Sequence, residues 1–156
     1  MSNSNQCDNV EDSVCLSIDI QGQEANVKLI AHAANFHARG SAYFALDNLV
    51  SRINLFSQFP ICRDTAPSII GGYLSDSGSE VIEEHVHISV IPANSAGALI
   101  MTVKAFSPDF EYLGRGFGKG GRCDYKLSYE GLSSFANLFG KLVNGDVEKI
   151  TFSEFL

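Results

Sequence analysis

The sequence predicts an α+β domain: a single antiparallel sheet of about six to seven strands with two amphipathic helices packed on one face. Three observations predict it. Apolar residues alternate at period two through most segments, only two segments switch to helical spacing, and those two do not alternate one for one with the strands. A parallel sheet would require such alternation for its crossovers. With 156 residues, 45% of them apolar, the chain is long enough to bury one core without disulfide or metal staples. Residues 1–12 are polar, acidic and aperiodic and predict a disordered tail; residues 13–156 predict a single domain.

The elements follow in order. "SVCLSIDI" sets Val14, Leu16, Ile18 and Ile20 on one face against Cys15, Ser17 and Asp19, the pattern of a half-buried strand. "QGQ" turns the chain into a second strand from about Ala25 to Ala34, and "NFHARGSAYFA" predicts a third, weakened by Gly40. Asp47 then reads as an N-cap; Leu49, Val50, Ile53 and Phe56 fall at helical spacing, and Pro60 stops the run. A loop, "ICRDTAPS", leads to a short strand over Ile69–Leu74.

"SEVIEEHVHISVIP" sets Ile82, Val86, Ile88 and Val90 against Val81, Glu83, His85, His87 and Ser89. "ANSAG" turns it back into "ALIMTVKAF" as a hairpin. "RCDYKLS" predicts another strand, feeding a second helix capped by Ser128 with Leu132, Phe135, Ala136, Phe139, Leu142 and Val143 on one face. "VEKITF" predicts a last edge strand.

The net charge of −7 is unevenly spread. Residues 1–27 and 64–103 contain no Lys or Arg, whereas Arg115, Lys119, Arg122 and Lys126 form a positive island offset only by Asp124. A negative overall field repels polyanions and attracts basic partners, so a basic protein partner is expected and nucleic acid is not. No apolar run approaches the roughly 18 residues of a membrane span, and the first residues lack the pattern of a secretory signal. The expected location is the cytoplasm.

The stretch "LGRGFGKGGR", Leu113–Arg122, formally contains G-x-G-x-x-G. A dinucleotide site needs a helix behind those glycines to supply amides and dipole, and here a strand follows; the stretch reads as a hairpin turn. Cys7, Cys15, Cys62 and Cys123 have no metal-site spacing and read as reduced thiols, most of them buried. No spacing in the chain supports a catalytic residue or a cofactor. Glu83-x-His85-x-His87 should place three side chains on one strand face, where His85 and His87 could share a metal. That pattern resembles a fragment of the cupin signature, which makes a small metal-binding protein or enzyme the alternative function.

One wider resemblance covers Val14 to Val143. Its carriers are the strand entering "FALDNLVSRINLFSQF", the hairpin "EEHVHISVIPANSAGALIMTVKAF" and the closing "YKLSYEGLSSFANLFGKLV". This layout resembles the small bacterial immunity proteins that neutralise secreted polymorphic toxins, in particular the WapI-type and related families. The resemblance implies a non-catalytic protein that blocks a cognate toxin by direct contact. Many such toxins are nucleases with cationic active sites, so carboxylates are the expected contact, and Asp76, Glu80, Glu83 and Glu84 are where this chain concentrates them.

Overall fold

The computed structural model describes residues 11–109 and 116–156. The first ten positions of the expected tail, with Cys7, and positions 113–115 of the glycine-rich stretch, with Arg115, lie outside the described residues. The elements run β1 (Ser13–Gln21), β2 (Glu24–Ala33), β3 (Phe36–Ala45), α1 (Leu46–Asn54) with a 3₁₀ turn (Leu55–Ser57), β4 (Ser68–Leu74), β5 (Val81–Pro92), β6 (Leu99–Pro108), β7 (Gly118–Leu127), α2 (Tyr129–Val143) and β8 (Lys149–Phe152).

The fold is α+β and antiparallel, but the expected single sheet is two. One has the order β3-β2-β1-β8 and the other β4-β5-β6-β7, four strands each. The physical reason is that period-two alternation reports which face of a strand is buried, not what buries it. Val14, Leu16, Val27 and Leu29 on the first sheet and Val86, Ile88, Met101 and Val103 on the second are all fully buried. Each sheet's apolar face covers the other's. The last strand returns to the first, with Leu16 opposite Ile150, so the chain leaves one sheet after β3 and comes back only at its end.

β3 decides how the sheets meet. A methyl group at Gly121 of β7 would strike the ring of Phe36 at 2.6 Å; one at Gly40 would overlap the His85 carbonyl oxygen of β5 and approach Phe106 N of β6 at 2.8 Å. At Gly71 of β4 it would meet Ala42 Cβ at 2.9 Å and the ring of Phe44. Read in order, Phe36, Gly40 and Ala42 lie over β7, β6 with β5, and β4. β3 therefore crosses all four strands of the second sheet, as in orthogonal sheet packing. Gly40, which reads as a weak point in a strand, is the position where backbone meets backbone. Tyr125 of β7 adds a polar stitch, donating its hydroxyl to the His32 carbonyl of β2 at 2.8 Å.

The helices lie against both sheets rather than on one face of a single one: α1 touches β3 and β4, and α2 touches β1 and β8. α2 starts where Ser128 Oγ accepts from Gly131 N at 3.0 Å, and all six residues of its expected apolar face are buried. Phe135 meets Phe56, Phe139 and Phe152 edge-on at 5.3–5.8 Å between ring centres, which ties α2 to the end of α1 and to β8. Burial of such a ring contributes about 1.5–3 kcal/mol. α1 buries Leu49 and Ile53, followed by Phe56, but leaves Val50 exposed. Its cap is Ala45, with no side-chain hydrogen bond, and Asp47 sits in the first turn instead, where its charge favours the helix dipole.

Two further expectations are corrected. The glycine-rich stretch is strand from Gly118 onward, not turn: β7 pairs Gly118, Gly120 and Gly121 with Pro108, Phe106 and Ala105. Among the described cysteines none is fully buried; Cys62 is exposed, and Cys15 and Cys123 are partly so. Among the described residues no helix is long and apolar enough to cross a membrane.

Candidate functional site

β5 carries the residues that the sequence singles out, and its register explains what becomes of them. Gly71 pairs with Val86 and the next residue, Gly72, with Glu84, so His85 is one residue too many for its partner strand. This is a β-bulge, and it breaks the alternation that would have lined up Glu83, His85 and His87. A side chain at Gly72 would overlap the Glu83 carbonyl oxygen, which is why the bulge faces a glycine.

The bulge sorts two acids and two histidines into two pairs. Glu83 Oε1 lies 2.7 Å from His85 Nε2, and the His85 ring packs edge-on to Tyr73 at 4.3 Å and stacks with Phe106 at 5.8 Å. Glu84 Oε2 lies 3.1 Å from His87 Nδ1 and accepts from Lys104 Nζ at 3.5 Å, while His87 Nε2 lies 2.9 Å from Ser89 Oγ. The expected convergence of Glu83, His85 and His87 on one face is therefore corrected. Among the described residues no group of three or more His, Cys, Asp and Glu side chains is arranged to hold a metal ion.

Around His87 the second sheet presents a polar outer face. His87, Lys104 and Arg122 are cross-strand neighbours, and so are Ser89, Thr102 and Asp124. Thr102 Oγ1 donates to Asp124 Oδ1 at 2.7 Å, and Arg122 holds both oxygens of the same carboxylate at 3.2 Å. Burial pushes the Asp124 carboxyl up, but the hydrogen bonds from Thr102 and Arg122, with the charges of Arg122 and Lys104, outweigh it and hold the group below its ordinary value. Burial pulls His87 down from the ordinary imidazole value; Glu84 opposes this, and Lys104 and Arg122 add to it. The net effect favours the neutral ring.

The bond order carboxylate, Nδ1, Nε2, hydroxyl is that of a general-base relay, with Ser89 in the hydroxyl position. Acyl transfer also needs a pair of free donors for the oxyanion. β5 is an interior strand, and at Ser89 its register partners are Ser68 of β4 and Thr102 of β6. The arrangement fixes the His87 tautomer and spreads the Glu84 carboxylate over two basic groups. Ser89, Lys104, Thr102 and Asp124 were missed by sequence reasoning, although alternation in "ALIMTVKAF" and "RCDYKLS" already placed Thr102 with Lys104, and Arg122 with Asp124.

The four acids expected to contact a partner divide. Glu83 and Glu84 are taken up by the pairs just described, and Glu83 is the more covered, its side chain 18% exposed against 35% for Glu84. Asp76 and Glu80 are exposed in the β4–β5 turn, which is closed by Ser75 N donating to Glu80 O and Gly78 N donating to Ser75 O, both at 2.8 Å. Among the described residues neither carboxylate is in an ion pair. Leu74 and Ile82 flank the turn with 52% and 53% of their surface exposed. No family model matches the chain, and no curated protein or solved structure matches it.

Proposed function

We propose that the chain is a non-catalytic protein-binding domain of the immunity type, which neutralises a cognate toxin in the cytoplasm by direct contact with a basic surface. The observation that carries this reading is the tip of the β4–β5 hairpin. There two exposed apolar side chains, Leu74 and Ile82, stand beside two carboxylates, Asp76 and Glu80, that are in no ion pair among the described residues. Interfaces join an apolar centre to a charged rim, and complementary charge raises the association rate and rejects wrong partners. Glu83 and Glu84 lie one step behind the tip, paired with His85 and with His87 and Lys104.

Co-expression with the product of the neighbouring gene tests the proposal. The two proteins should co-purify, growth should be rescued, and Asp76→Lys with Glu80→Lys should weaken the complex about tenfold or more without unfolding the domain. Absence of both rescue and co-purification would sink it. Among the described residues the metal alternative has no converging ligand set, and metal analysis of the purified protein provides its independent check.

A further inference from the structure

The positive charge of this acidic chain gathers in a place that the hairpin tip does not use. Lys28 of β2 pairs with Ser41, and Ile30 pairs with Arg39 of β3. Lys28 and Arg39 are therefore diagonal neighbours on the outer face of the first sheet, within reach of one small ligand for side chains this long. The end of β6 leans over the open edge of β3 at this point, where Ser107 Oγ donates to the Arg39 carbonyl at 2.7 Å. Phe106, Ser107 and Pro108 line a cleft of about 340 Å³ there together with Lys28, Ile30 and Arg39. On the far side of Ser107 a second hollow of about 260 Å³ is lined by His37, Arg39 and Lys119, so that Arg39 borders both.

Two features mark this cleft as built for an anion. Among the described residues none of Lys28, Arg39 and Lys119 is in an ion pair, although Asp and Glu outnumber Lys and Arg 18 to 11 in the chain. Apolar Ile30, Phe106 and Pro108 line the same cleft as the cations, and the cleft's volume is in the range of small-molecule sites. His32 and His37 continue the face with rings 4.8 Å apart. The His32 imidazole is pulled down from its ordinary value first by burial and then by the charges of His37 and Arg39, in keeping with a positive local field.

We infer that the cleft between β3 and the end of β6 binds a small organic anion, an apolar or aromatic body bearing a phosphate or carboxylate, with Arg39 and Lys28 holding the charged group and Phe106 and Pro108 the body. Lys119, carried by the glycine-rich strand, supplies a third cation on the other side of Arg39. The site is separate from the β4–β5 tip and stands or falls independently of the partner proposed there.

The test is an NMR titration of the full chain with phenyl phosphate, inorganic phosphate, benzoate and phenol as probes. Phenyl phosphate or benzoate should shift amides of β2, β3 and the end of β6 saturably, at least about tenfold more tightly than inorganic phosphate or phenol. Binding should weaken between about 50 and 200 mM salt. Arg39→Gln and Lys28→Gln, both at exposed positions, should each weaken binding by about tenfold, whereas Lys126→Gln on the other sheet should not. Which of the two anions binds more tightly decides between phosphate and carboxylate. The inference is overturned by no saturable shift up to about 10 mM of either. It is equally overturned by inorganic phosphate binding as well as the aromatic anions, or by an unchanged affinity in a folded Arg39→Gln.

Discussion

On the outer face of the second sheet, Lys104 shares Glu84 with His87, and Arg122 grips Asp124, which Thr102 also holds. On the outer face of the first sheet, Lys28 and Arg39 have no carboxylate within ion-pair distance among the described residues. Both faces belong to the same acidic chain, so the difference lies in placement rather than in supply. A face whose charges are matched within itself presents little net field to a ligand. A face with unmatched cations beside an apolar wall keeps its field for whatever enters.

The comparison breaks most completely if the sheets are forced apart. Gly40→Ala would push a methyl into the His85 carbonyl and Phe106 backbone, and should cost about 3 kcal/mol or more, read as a lower denaturation midpoint. Both faces should lose definition together, because β3 and the β5–β6 pair share that contact. Thr102→Val sharpens the contrast. It removes the 2.7 Å bond to Asp124 and should destabilise the matched face by about 1–2 kcal/mol in urea unfolding, while Arg39→Gln on the unmatched face should stay within about 0.5 kcal/mol. A loss on Arg39→Gln as large as that on Thr102→Val would remove the distinction.

Acidity gives the smallest effect. Folded His87 binds its proton less tightly than the ordinary value of 6.5, so the unfolded chain takes up more protons as pH falls through that value, and stability declines from there downward. His32 acts in the same sense, and Asp124, held below 3.8, contributes its loss only at lower pH. The melting temperature should drop between about pH 7 and pH 5, and the drop should be smaller in His87→Gln. An unchanged slope in that variant would assign the acid sensitivity to other groups.

Much of the fold was legible in the sequence because much of it is local. Alternation located the strands, the helical spacing of Leu132, Phe135, Phe139 and Leu142 located α2, and Ser128 was a visible cap. The division into two sheets was not legible, since which strand β1 takes as its second neighbour depends on residues around Ile150, far along the chain. The site failed for a related reason. Counting by twos puts Glu83, His85 and His87 together, and a single extra residue opposite Gly72 undoes the count. The glycine-rich stretch carries the usual signal of a turn, yet its glycines answer to Phe36 and Phe106, which are distant or on another strand.

That last relation reaches into how the sequence can vary. Gly121 leaves room that the Phe36 ring fills, and Gly118 and Gly120 leave room along the Phe106 ring. Each glycine and its ring act as one shape divided between two positions. A side chain at 121 becomes acceptable only if residue 36 shrinks, so relatives of this chain should change these positions as couples, and a glycine there without a ring opposite would mark a partner already lost.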